Sequence, residues 1–212
     1  MKTMIAVMAV LFAQSAGSGD FRWTGTLTAG QSVEIRNPYG SIRTLASDDG
    51  AVHVEALRTG TRDVPIGAEQ TARGVLACAG DCWSPGRQGR DDARVDFVVR
   101  MPEGVDLSAS AIDGAIDISG LRAGVRVATI GGTVVLRFVD GDGVDFHANT
   151  ISGRIDADFP MDLHDNAPAL LSSGGPRRGG PATPQIVHAV IGGGGRDVQV
   201  NTISGDIHLR QR

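Results

Sequence analysis

The feature that most constrains this chain is a phrase that recurs with its glycine in register. VQVNTISGDIHL at 198–209 and FHANTISGRIDA at 146–157 are the clearest copies, and LSASAIDGAIDI at 107–118 and VRVATIGGTVVL at 125–136 are looser ones. Aligned on Gly114, Gly132, Gly153 and Gly205, they share apolar columns. Two precede the corner: Leu107, Val125, Phe146 and Val198, then Ala109, Val127, Ala148 and Val200. Ile112, Ile130, Ile151 and Ile203 follow, and past the glycine come Ile116, Val134, Ile155 and Ile207, then Ile118, Leu136, Ala157 and Leu209. A supersecondary unit repeated in this way is stacked on itself.

Apolar residues alternate with polar ones on each side of the glycine, the period of a strand with one buried face. Each copy is therefore two short strands around a corner. To bring the isoleucine column inward, the alternation has to change parity at Asn201 and Thr202, and at Asn149 in the sister copy. Asparagine tolerates left-handed backbone there, and the glycine supplies a second permissive joint. Successive glycines lie 18 and 21 residues apart in the first three copies, too close for two strands and a helical crossover. The expectation is an all-β coil of parallel rungs, each about 4.8 Å from the last, with like side chains in ladders. The isoleucines would form a core ladder, Asn149 and Asn201 another, and Gly132 would sit beside Gly153.

The first 18 residues pair a basic start at Lys2 with an apolar run from Met4 to Phe12 and small residues at Ser15, Ala16 and Ser18. That pattern reads as a secretory signal peptide, since the run is about half the length of a spanning helix. The expected mature chain, 19–212, is one domain and has no transmembrane segment. SVEIRNPYGSIRT at 32–44 reads as a degenerate first rung around Gly40, and AVHVEALRT at 51–59 as a half-buried strand with His53 outward. Residues 60–93 and 160–185 lose the alternation and read as insertions. The first holds the only cysteines, Cys78 and Cys82. In an oxidising compartment so close a pair reads as a disulfide; a redox pair and half a metal site are the alternatives.

With 20 basic and 24 acidic residues and no large arginine cluster, the chain lacks the charge that nucleic-acid binding requires. IGGGGRD at 191–197 has strands on both sides and no helix start to present amides to a phosphate. DGDGVD at 140–145 raises calcium but has Val144 where a further acid is needed, so it reads as a turn. The histidines 53, 147, 164, 188 and 208 show no ligand spacing, and neither a metal nor a cofactor is assigned. Asp113, Asp117 and Asp156 could approach one another on an outer face, as in polysaccharide-cleaving β-helices, although Val135 interrupts the row. Otherwise they are charges on a solvated face that discourage edge aggregation.

The combination VEIRNPYGSIRT, VDFVVRMPEGVDL, the NTISG copies and IGGGGRDVQVNTISGDIHL resembles a bacterial envelope family of β-strand repeats known as putative adhesin domains of unknown function. The resemblance runs from about 32 to 209, and the cysteine-containing insertion falls outside its pattern. It implies a right-handed parallel β-helix-like solenoid and no catalytic residues. The expected function is a non-enzymatic, exported scaffold or adhesin-like protein, periplasmic or extracellular, presenting strand surface to an envelope protein or cell-wall component. The alternative is a polysaccharide-active enzyme using the surface aspartates, and three acids converging in an outer groove would favour it.

Overall fold

The computed structural model describes residues 20–59, 63–80, 94–164 and 184–211. The signal-like segment, Cys82 and most of 160–185 lie outside these. In chain order the strands are β1 (Asp20–Thr26), β2 (Ser32–Tyr39), β3 (Ile42–Ala46), β4 (Ala51–Thr59), β5 (Ile66–Thr71), β6 (Gly74–Ala79), β7 (Arg94–Met101), β8 (Leu107–Asp113), β9 (Ile116–Ser119), β10 (Val125–Gly131), β11 (Val134–Phe138), β12 (Val144–Thr150), β13 (Ile155–Ala157), β14 (Asp162–His164), β15 (Gln185–Ile191), β16 (Arg196–Thr202) and β17 (Ile207–Gln211). No helix occurs among the described residues, and so none there is long and apolar enough to cross a membrane.

The strands form two mixed, open sheets, one ordered β1-β4-β7-β3-β9-β11-β17-β13 and the other β14-β15-β12-β16-β10-β8-β2-β6-β5. Each repeat copy gives its first strand to the nine-stranded sheet and its second to the eight-stranded one, so the glycine corner carries the chain between sheets. Within each sheet the copies pair parallel and in the register of the apolar columns. Val125 faces Leu107 and Val198, and Phe146 faces Val198. Across the corner, Val134 faces Ile116 and Ile207, and Ile155 faces Ile207. These side chains are almost wholly buried in one core shared by both sheets, each contributing about 1.5–3 kcal/mol by leaving water. Register is thus fixed by burial, because a one-residue slip would turn every one of them outward.

The sheets depart from the expected coil in three ways. First, they are mixed: antiparallel β4 and β1 extend the eight-stranded sheet beyond β7. Antiparallel β5 and β15 flank the parallel strands of the nine-stranded sheet, with β14 outside β15. Second, residues 60–93 are not all insertion. β6 pairs parallel with β2 and β7 with β3, which makes another rung. Its first strand, GVLACA, shows no alternation because all six residues are buried, as in any strand covered on both faces. Third, the copies do not stack in chain order. The last one enters between the two before it, so β16 lies between β10 and β12 and Gly205, not Gly153, is the neighbour of Gly132.

Glycines make that entry possible. The run 192–195 returns from β15 across the start of β12, all four residues having positive φ. A Cβ on Gly192 would lie 2.2 Å from the Asp142 carbonyl, and one on Gly143 would lie 2.1 Å from that of Gly194. Two backbones in contact leave no room for side chains. Arg196 then pins the crossing: it donates to Asp142 at 2.9 Å and to the Leu121 carbonyl, with its guanidinium 5.6 Å from the Phe138 ring centre.

Candidate binding trough

The corner residues overturn one expectation directly. Ile112, Ile130, Ile151 and Ile203 are not core: they are 39, 48, 50 and 47% exposed. The alternation runs through the corner without a parity change, so the inward residue after Val127, Ala148 and Val200 is a threonine. Thr129, Thr150 and Thr202 are at most 6% exposed. Burying a hydroxyl is tolerable only when it is hydrogen-bonded. Here the corner supplies the partners: Gly153 N–H donates to Thr150 Oγ1 at 2.9 Å, and Gly205 N–H to Thr202 Oγ1 at 2.8 Å. Thr150 Oγ1 also donates to the Gly205 carbonyl at 3.3 Å. In the degenerate first rung around Gly40, Asn37 plays this part, fully buried and donating to the carbonyls of Ser41 and Val95.

The corner glycines form a column whose reason is close approach. A Cβ on Gly153 would meet the Gly205 carbonyl at 1.9 Å, on Gly205 that of Gly132 at 2.1 Å, on Gly132 that of Gly114 at 2.1 Å, and on Gly114 that of Gly40 at 1.8 Å. Only Gly114 and Gly132 of the four named corners also have positive φ. The serines after two of the isoleucines clamp the outer side. Ser204 donates both its N–H and its hydroxyl to the Ile130 carbonyl, at 2.9 and 3.0 Å, and Ser152 does the same to Ile203 at 2.9 and 3.1 Å.

The consequence is a rigid ladder of outward isoleucines in spatial order 112, 130, 203, 151. Beside it runs a second row, paired in register: Ile186, Asn149, Asn201, Ala128 and Ser110. The asparagine ladder expected from the repeats is present. Ile130, Ile203 and Ile151 of the first row and Ser110, Ala128, Asn201 and Asn149 of the second line a shallow trough of about 360 Å³. Its lining residues carry no formal charge. Asn149 and Asn201 are exposed, and neither amide group hydrogen-bonds to another described residue. Of the eight large apolar side chains exposed among the described residues, five lie in these two rows, so the apolar surface is concentrated here, as it is at interaction sites.

The acids do not converge. Asp117 and Asp156 occupy one outward row of the eight-stranded sheet, but Val135 and His208 stand between them. Three strand steps put them about 14 Å apart. Each is engaged: Asp117 by Arg137, and Asp156 by His208 and by Arg210 at 2.8 Å. Asp113 lies in the other sheet, opposite Gly131. In the DGDG segment, Asp142 accepts the Val139 N–H at 2.9 Å and holds Arg196, so that segment is a turn. Cys78 is buried at the end of β6, and its expected partner Cys82 lies outside the described residues.

No protein-family model matches the chain, and no curated protein sequence does. A solved structure does: that of a putative cell adhesion protein from Clostridium sporogenes, at TM-score 0.52 and 10% identity, over 91% of this chain and 100% of that one. The two share a fold. A putative adhesin from Parabacteroides merdae matches at TM-score 0.26 and 9% identity, over 67% of this chain and 69% of that one. Another from Bacteroides fragilis matches at 0.23 and 8%, over 91% and 97%.

Proposed function

We propose that this is an exported, non-enzymatic, adhesin-like protein. Its stacked rungs act as an open, solenoid-like scaffold, and it binds an envelope protein or cell-wall component through the trough. The observation that carries this reading is the uncharged ladder of half-exposed isoleucines flanked by asparagine amides that have no partner among the described residues. A folded chain gains nothing from exposing that surface unless something covers it. The dispersal of the acids, with Asp117 held by Arg137 and Asp156 by His208 and Arg210, supports a binding role over a polysaccharide-cleaving one. The adhesin-like names of the structural neighbours and the signal-like start agree with it.

The test compares the wild-type chain with the double variant Ile130→Ser, Ile203→Ser for binding to isolated envelope fractions. Saturable binding that the variant loses, and that Asp117→Asn with Asp156→Asn retains, is the expected result. Loss through the aspartate variant with the isoleucine variant unaffected would move the site to the other sheet. Export also makes Cys78 and Cys82 a disulfide in this reading; two free thiols on alkylation of unreduced native protein would refute the pairing.

A further inference from the structure

Four histidines of this chain, 53, 147, 188 and 208, fall into two kinds. His53 hydrogen-bonds Asp49 at 2.8 Å and His208 bonds Asp156, so each is already satisfied by an acid. His147 and His188 are not: they face each other across β12 and β15, exposed, with ring centres 4.5 Å apart and planes at 71°. Neither ring hydrogen-bonds or ion-pairs with another described residue. The strand register is fixed by the burial of Ala148 and Phe146 on one side and Val187 and Ala189 on the other, so the two imidazoles are held side by side by the core beneath them. On the next strand the register sets His164 opposite His188.

We propose that His147 and His188 form a surface site for a divalent transition cation such as Zn²⁺. Neutral imidazole is the commonest protein ligand for such ions. Two nitrogens on one tetrahedral zinc lie roughly 3.3 Å apart, given Zn–N bonds of about 2.0–2.1 Å. Rings whose centres are 4.5 Å apart bring their edges within that range by side-chain rotation alone, and solvent exposure leaves the rotation free. No group of three or more histidine, cysteine, aspartate or glutamate side chains forms a ready cage among the described residues. The pair is therefore a two-imidazole site completed by water or by a donor from a bound partner. His147 lies two residues from Asn149 on β12, and His188 two from Ile186 on β15, which puts the ion at the border of the trough. The proposal does not depend on the trough's function.

The test is calorimetric titration of the purified full chain with Zn²⁺ under non-reducing conditions, alongside His147→Gln, His188→Gln and His53→Gln, each checked for native circular dichroism. The expected result is one saturable event in the wild type and in His53→Gln, weakened at least about tenfold in either of the other two. Undiminished binding by both His147→Gln and His188→Gln, or no binding by the wild type, would overturn the site. Both positions are exposed, so loss of folding in one variant leaves the other to decide.

Discussion

Threonine rather than isoleucine fills the inward position at each NTISG corner, and this single exchange decides which face of the molecule is apolar. The apolar columns on both sides of the corner were legible because period-2 alternation reports burial directly, as at Val198, Val200, Ile207 and Leu209. The corner is where hydrophobicity misleads, because it argues for burying isoleucine. Parity, carried unbroken from Val198 through Val200, points to Thr202 instead, and a serine or threonine hydroxyl can bond the backbone of a following turn. Thr150→Val keeps shape but leaves the Gly153 N–H unpaired in the interior. It should destabilise by about 1–3 kcal/mol in urea unfolding, whereas Ile151→Ser, at a half-exposed site, should cost about 1 kcal/mol or less. For the glycines, Gly205→Ala drives a methyl into the Gly132 carbonyl and should cost about 3 kcal/mol or more, or prevent folding. Gly193→Ala has positive φ but nothing within 4 Å of the new carbon and should cost about 1–2 kcal/mol.

Among the elements, β6 and the last crossing show what sequence patterns hide. A strand buried on both faces has no alternation to read, so GVLACA merged with the irregular residues around it. GGGG at 192–195 was legible as a turn but not as a crossing, because only the structure shows which backbone it must pass. Arg196 belongs to that crossing rather than to the solvated surface. Its side chain and that of Asp142 are each 10% exposed, and removing the cation leaves a carboxylate in a largely dry site. Arg196→Ala should therefore cost about 3–5 kcal/mol, while Arg126→Ala on the open face should stay within about 0.5 kcal/mol. Both are read from the midpoints of urea denaturation at unchanged slope. The trough is itself a product of pairing: the ladder is continuous only because β16 lies between β10 and β12.

For the whole molecule, the order of rungs is the claim on which the site depends. Repeats read from sequence are assumed to stack as they are written, since nothing in a copy records its neighbours. Here the fourth copy closes the gap between its predecessors, so the parallel block is incomplete until β16 is in place between β10 and β12. Disulfide trapping tests this most directly. Adjacent parallel strands lie about 4.8 Å apart, within the span of a disulfide, whereas strands two steps apart, at about 9.6 Å, lie beyond it. The pairs Asn149→Cys with Asn201→Cys, and Ala128→Cys with Asn201→Cys, should crosslink on mild oxidation, as identified by peptide mass spectrometry. Ala128→Cys with Asn149→Cys should not. Efficient crosslinking of that last pair, with failure of the first two, would place the copies in chain order and contradict both the fold described here and the trough built on it.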